Sequence, residues 1–329
     1  MPIFLYANSV TLLYDTELTM NFSIGLLTMT IPTIIDAHHH FWDLSLKKHP
    51  WLDGRQNIKS FRYGDYSKIC KNYLLEDYKN DWGNHQIVKS IYVETEWDAA
   101  DPIGETAWVQ NYYEKYGFPN ALVGQIWFEN DNVDQVLADH KQFPISRSVR
   151  QKPKSCTSFT EFKPNLPGSM GDPNFRNGYK NLLKHKLHYD LQTPWWHLGE
   201  AAMLARDFPD TLIILNHTGL PSDRTPKGLD RWQSALQEFA FQPNTAIKLS
   251  GIGISGHKWN PLENNRIIRD AIATFGVERC MFASNFPVDG LCDSFDTIFQ
   301  NFKNIASSFS IKDQSALFHD NALKYYQPL

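Results

Sequence analysis

From Thr33 to the end of the chain, short runs of β-branched and apolar residues alternate with longer stretches whose apolar positions recur every three to four residues. The short runs predict strands over Thr33–Ala37, Val88–Val93, Leu122–Trp127, Ile145–Val149, Leu187–Leu191, Thr211–Leu215, Ala246–Leu249 and Cys280–Ala283. The longer stretches predict helices over Glu105–Tyr116, Val133–Lys141, Phe175–Lys186, Leu198–Phe208, Leu229–Phe239, Asn265–Phe275, Phe295–Ala306 and Gln314–Tyr326. Eight strand-then-helix units imply parallel pairing through right-handed crossovers. In a chain of 329 residues a single closed (β/α)8 barrel is the economical α/β arrangement. An open doubly wound sheet would carry a glycine-rich phosphate turn after an early strand, and the sequence has none. The connection from Phe41 to Gln86 is far longer than an ordinary βα loop, so the reading includes a long insertion after strand 1 that forms a lid or wall.

Residues 1–29 break the pattern. They are apolar and threonine-rich, interrupted by Asp15 and Glu17, without a preceding basic stretch and without the roughly 20 apolar residues of a membrane span. They are expected to be an N-terminal extension outside the core, with residues 30–329 forming the barrel. A formal net charge of −4 leaves no basic surplus for nucleic acid, and no segment asks for a membrane. The four cysteines, Cys70, Cys156, Cys280 and Cys292, show no CxxC spacing, so free thiols in a reduced, cytoplasmic chain are expected. The partner expected is a small-molecule substrate, with a homo-oligomer left open.

Polar residues gather where the predicted strands run out, which in a barrel is the carboxyl-terminal face that carries function. Strand 1 ends in His38 and His40, whose i, i+2 spacing puts them on one face of a strand. The next exits carry Glu94 and Glu96, then Arg150, Gln192, Asn216 with His217, Ser250, and Ser284 with Asn285. Neutral imidazoles at His38, His40 and His217 can bind a divalent metal, with Glu94 as a fourth ligand, or polarise a carbonyl directly. Arg150 offers a donor fork for a carboxylate or an oxyanion. Trp42, Trp51, Trp97, Trp127, Trp195 and Trp196 lie just beyond strand ends, where aromatic faces grip rings; Trp97, Trp196 and His197 are taken as substrate-binding together with Glu94 and Gln192.

The motifs Asp36-Ala37-His38-His39-His40-Phe41-Trp42-Asp43, Glu94-Thr95-Glu96-Trp97-Asp98, Asp190-Leu191-Gln192, Asn216-His217-Thr218-Gly219-Leu220-Pro221, Lys248-Leu249-Ser250-Gly251 and Ala283-Ser284-Asn285-Phe286-Pro287-Val288 resemble, in this order, the amidohydrolase-2 family of TIM-barrel hydrolases. The resemblance is greatest to its lactonase-like branch, which includes L-fuconolactonase, L-rhamnonolactonase and pyrone-dicarboxylate lactonase. It implies water attack on a small carboxylated or sugar-derived lactone, with one divalent metal, zinc first, or none. Two positions depart from the family pattern. Gln192 stands where metal-dependent members usually carry histidine, and Asn285 where most carry an aspartate serving as ligand and base; an amide cannot take that proton. Asp289, His217 and Glu94 are the substitutes available for the base. The alternatives are a metal-dependent nonoxidative decarboxylase of an aromatic or unsaturated acid, and a non-catalytic ligand-binding barrel that has lost its base.

Overall fold

The computed structural model describes residues 33–56, 58, 59 and 61–329; the expected extension over residues 1–29 lies outside them. Eight strands follow in chain order: β1 (Ile34–His39), β2 (Ile87–Val93), β3 (Ala121–Gln125), β4 (Ser146–Gln151), β5 (His188–Leu191), β6 (Ile213–Leu215), β7 (Thr245–Leu249) and β8 (Cys280–Phe282). Every one begins and ends within two residues of the segment its apolar pattern predicts. Each pairs in parallel with the next in sequence order. The seam between β8 and β1 has no regular ladder; a parallel bridge from His39 to Phe286 and the bonds Asn285 N–H to His38 O (2.7 Å) and His40 N–H to Phe286 O (2.8 Å) bring the two ends together. The architecture is a (β/α)8 TIM barrel.

Apolar residues pack on both sides of the sheet, as parallel strands require. Ile35, Ala37, Ile91, Val93, Ile214, Ala246 and Met281 fill the interior, where Tyr326 also packs, while Ile34, Tyr92, Leu122, Val149 and Phe282 face the helices. One irregularity decides where the chemistry lies. Asp36 pairs with Ser90 and His39 with Tyr92, so β1 spends three residues where β2 spends two. This bulge breaks the inward–outward alternation. Asp36 stays outside, accepting from Tyr78 OH at 2.5 Å, and His39 stacks on Tyr78 with ring centres 4.4 Å apart, while His38 and His40 turn toward the barrel axis.

The helices are α1 (Leu75–Trp82), α2 (Gly104–Tyr116), α3 (Val133–Lys141), α4 (Pro173–Tyr179), α5 (Leu182–His185), α6 (Leu198–Asp207), α7 (Pro226–Ala240), α8 (Pro261–Phe275), α9 (Phe295–Ala306), α10 (Ile311–Ser315) and α11 (Asn321–Tyr326). Side-chain caps start several of them: Asp172, Thr225, Asn260 and Ser294 each accept a backbone N–H of the first turn, three of them ahead of a proline at the first helical position. Two expectations are corrected. The helix predicted over Phe175–Lys186 is two helices, because Asn181 turns its N–H groups back onto the Gly178 carbonyl. The helix predicted over Gln314–Tyr326 is interrupted by a π turn at Ala316–Asp320, which lets the Asn321 amide reach the carbonyls of Val277 (2.7 Å) and Cys280 (2.8 Å). The insertion after β1 also contains α1, which the pattern did not announce. Its Tyr78 holds Asp36, and its Leu74 N–H is capped by Asp77 at 2.9 Å. Among the described residues no helix is long and apolar enough to cross a membrane, and all four cysteines are free.

Candidate active site

A cavity of about 290 Å³ opens at the carboxyl ends of the strands. The strand exits supply His40, Glu94, Glu96, Arg150, Lys152, Gln192, His217 and Asn285, and the insertion supplies Trp42, Trp51, Phe61 and Arg62. A roomier groove of about 580 Å³ runs between residues 68–81 and 286–294 and contains none of the predicted site residues. Glu96, His217 and Asn285 hold left-handed backbone angles, φ 56°, 53° and 54°. For non-glycine residues that conformation is strained and concentrates at functional sites. Gly251 makes room for His217: a Cβ there would lie 2.6 Å from the imidazole.

The imidazoles of His40 and His217 line the cavity, and that of His38, fully buried, lies behind them. His38 Nε2 lies 3.3 Å from His40 Nε2, and the His38 and His217 ring centres are 4.6 Å apart. His40 Nδ1 sits 2.8 Å from the Val93 carbonyl, which can only accept, so Nδ1 carries the proton and Nε2 presents a lone pair. That lone pair faces Asn285 Oδ1 at 3.2 Å. The amide cannot be turned round, since its Nδ2 donates to Asp289 Oδ1 at 2.6 Å. Two acceptors therefore point at each other. All three histidines are neutral: burial drives His40 down to about 3, with Arg150 adding to the effect, and drives His38 and His217 well below the ordinary value. Next to burial, His38 feels His217, and His217 feels Arg62 and Arg150.

Glu94 and Arg150 are placed together as a buried pair. Arg150 Nε donates to Glu94 Oε1 at 2.5 Å, Nη2 to the Glu94 carbonyl at 2.7 Å, and Nη1 to Gln192 Oε1 at 3.3 Å. Glu94 Oε2 accepts the Glu96 N–H at 2.8 Å. Burial opposes this carboxylate, but Arg150 and Lys152 hold it below the usual range. Both Glu94 oxygens are thus engaged, so Glu94 braces Arg150. Three of the five Arg150 donors are used, which leaves two for a guest. Lys152 pairs with Glu96 at the mouth.

Asp289 lies behind Asn285. Its oxygens accept from Asn285, from Tyr63 OH (2.8 Å) and from the Gly251 N–H (2.9 Å), and burial raises its pKa although Arg62 opposes the rise. As placed it orients the amide and has no cavity face. Three predicted residues sit away from the cavity: the Trp97 indole is aimed at Asp101, that of Trp196 donates to the Cys156 carbonyl, and His197 bridges the Cys156 N–H and Glu200. Sequence reasoning missed Arg62, Phe61, Tyr63 and Lys152. The only signal for the first three was a basic residue among aromatics inside an over-long insertion.

A divalent metal can be tested against these donors. Ligands bound at about 2.0–2.1 Å in a tetrahedral shell lie about 3.3–3.4 Å from one another. The spacings of His38 Nε2, His40 Nε2 and Asn285 Oδ1 come close to that. Among the described residues no group of three or more His, Cys, Asp or Glu side chains is arranged to hold a metal. The third donor would have to be the Asn285 amide oxygen, giving a site of neutral ligands only. The residues fit a metal in that form.

The amidohydrolase family description matches residues 35–327. The uncharacterized protein y4mH of Sinorhizobium fredii is 42% identical over 294 residues, covering 89% of this chain and 98% of that protein. An L-fucono-1,5-lactonase of Burkholderia multivorans is 23% identical, over 89% of this chain and 95% of its own length. Among solved structures, an amidohydrolase from Burkholderia multivorans with bound HEPES shares the fold at a TM-score of 0.74 and 22% identity, over 90% of this chain and 100% of the other.

Proposed function

Since the chain belongs to the amidohydrolase family, we propose that it is a lactonase, hydrolysing a small carboxylated or sugar-derived lactone at the cavity lined by His40, His217 and Asn285, with His38 buried behind them. The family supports hydrolysis, and the L-fucono-1,5-lactonases that match this chain favour an ester ring as the target. The observation that carries the reading is the pair of opposed acceptors, His40 Nε2 and Asn285 Oδ1 at 3.2 Å. A water molecule donating one hydrogen to each satisfies both and turns its own lone pair toward the cavity, where a carbonyl carbon can be attacked.

Arg150 supplies the other half of the reaction. Its two spare N–H groups bind the lactone carbonyl and stabilise the oxyanion that forms as water adds, a contribution of several kcal/mol when such donors are fixed in advance. The Glu94 ion pair fixes them. The hydrogen that the water directs at His40 Nε2 is the one that leaves as water adds, so His40 takes the proton, while His217 bonds Ser250 Oγ through Nδ1 at 3.1 Å. A divalent metal held by His38, His40 and Asn285 would add Lewis acidity at the same point.

The test is proton release from a panel of sugar lactones, muconolactone and pyrone carboxylates, with and without a strong chelator. Hydrolysis that survives chelation supports water held by His40 and Asn285, and hydrolysis lost on chelation assigns the polarising role to a metal. Failure on every lactone, with carbon dioxide released from an aromatic or unsaturated acid, would replace the reading by a decarboxylase. Failure on both panels would leave a ligand-binding barrel.

A further inference from the structure

We propose that Arg62, carried by the insertion after β1, reads a carboxylate on the substrate, so that the site takes an acidic lactone in preference to a neutral sugar lactone. The inference rests on the lactonase reading and narrows its substrate class.

The charged groups that line the cavity are Arg62, Arg150 and Lys152 against Glu94 and Glu96. Both carboxylates already have a partner, Arg150 for Glu94 and Lys152 for Glu96. Arg62 is the cation left over. Its nearest carboxylate oxygen, Asp289 Oδ1, is 3.7 Å from Nη2, beyond hydrogen-bond distance, and already accepts from Tyr63 and Asn285. Arg62 Nη1 is buried without any hydrogen-bond partner. The guanidinium lies over the Tyr63 ring, 4.5 Å from its centre, which holds its plane, and the side chain is only 28% exposed.

A guanidinium held by an aromatic face, with a buried donor unused, is preorganised for a planar two-oxygen anion. Arg62 lines the same cavity as Arg150, His217 and Asn285, so the anion it binds would sit beside the reacting carbonyl. A neutral sugar lactone offers hydroxyl groups that leave this charge uncompensated. The insertion thus supplies specificity while the strand ends supply chemistry.

The test compares muconolactone with its primary amide, which keeps the ring and size but removes the charge, using the full chain and its Arg62→Met and Arg62→Lys variants. Wild type is expected to favour the acid by at least tenfold in kcat/KM. Arg62→Met is expected to cost the acid about 100-fold, mainly through KM, and at least tenfold more than it costs the amide. Arg62→Lys should recover part of the loss. Equal losses on both substrates, or no preference in wild type, overturn the proposal. Melting temperatures of the variants separate misfolding from lost recognition. If wild type hydrolyses no lactone, the lactonase reading fails by itself, and thermal-shift binding of glutarate against glutaramide decides the Arg62 assignment. Stabilisation by glutarate that Arg62→Met abolishes supports it, and no preference for glutarate in wild type overturns it.

Discussion

Two buried polar clusters lie in the barrel, one within it and one at its carboxyl end, and are built on opposite principles. In the barrel interior, Asp190 of β5 accepts from Lys248 Nζ (2.6 Å), Ser148 Oγ (2.7 Å), Asn216 Nδ2 (2.9 Å) and Tyr326 OH (2.9 Å), and both Asp190 and Lys248 are fully buried. Burial opposes the Asp190 charge, but Lys248, His188 and the Asn216 amide together hold the carboxyl below its ordinary value. Both Asp190 oxygens are engaged by groups of the protein itself, although Lys248 Nζ has no hydrogen bond beyond this ion pair and Asn216 Oδ1 has no hydrogen-bond partner. At the strand ends, next to Asn216 in sequence, His217 joins His38, His40 and Asn285 in a cluster where an imidazole lone pair faces an amide oxygen. A carboxylate whose oxygens are all taken inside the closed barrel has no room for a guest, whereas an imidazole lone pair and an amide oxygen facing each other at a cavity wall can take a donor or a cation. The enclosed Asp190 cluster therefore carries stability and the His40–Asn285 cluster at the cavity carries chemistry.

The comparison breaks first if Lys248→Met is tolerated. Removing that ammonium leaves Asp190 charged and buried, and urea unfolding is expected to show a loss of about 3–5 kcal/mol, with much of it regained in Lys248→Met/Asp190→Leu. His40→Ala should do the opposite. It is expected to cut kcat by about 10²–10⁴-fold, as loss of a positioned acid–base or polarising group does, while moving the urea midpoint little. Equal stability losses in the two variants would erase the distinction.

Asn285→Asp sharpens the contrast from the site side. It replaces an amide that donates to Asp289 at 2.6 Å by a carboxylate facing a carboxylate. The expected cost is about 1–3 kcal/mol at neutral pH, recovered in mild acid when the pair shares a proton or on addition of zinc. Urea midpoints at pH 7.5 and 5.5, with and without zinc, read both effects; an unchanged midpoint would mean that the Asp289 contact orients nothing.

The pH dependence of stability follows from the buried histidines. Burial brings His40 to about 3, His49, His140 and His188 to about 4, and His38, His39 and His217 well below the ordinary value. The unfolded chain binds these protons near pH 6.5 and the folded protein does not. Stability present above about pH 6.5 is thus lost as pH falls toward 4, by up to about 1.4 kcal/mol per pH unit for each such histidine. Burial raises Asp36 and Asp289, and raises Glu105 to about 7; these groups act in the opposite sense. Seven histidines outnumber them, so the urea midpoint is expected to drop from pH 7 to pH 5, and a rise would show that the acids dominate. The smallest effect is expected for Trp196→Phe, which removes a bond to the Cys156 carbonyl outside the cavity. Less than a twofold change in kcat/KM should result.

Strand positions were legible because parallel strands buried on both faces leave dense apolar runs that few other structures produce. The strand exits were legible for the same reason, since a polar residue after such a run must lie at a barrel end, and His40, Glu94, Arg150, Gln192, His217 and Asn285 all reach the cavity. The π turn before Asn321 was hidden, because its cause is two carbonyls at Val277 and Cys280, distant in sequence. Arg62 was hidden because an insertion has no period to read. Trp97, Trp196 and His197 follow strand exits as closely as the cavity residues do, yet nearby loops absorb them.

The sequence by itself determined the eight-unit order, the lengths of the strands and the identity of the groups at their ends, because periodicity and side-chain chemistry are local. It also determined that His38 and His40 share a face. Which face was a tertiary decision. Had β1 kept strict alternation, the two imidazoles would have followed Asp36 to the helix side, and only the extra residue against β2 turns them inward. The pairings of Glu94 with Arg150 and of Asn285 with Asp289 likewise depended on which strand ends the barrel brings together. Opposed lone pairs are a property of distance, and distance is settled only when the chain has folded.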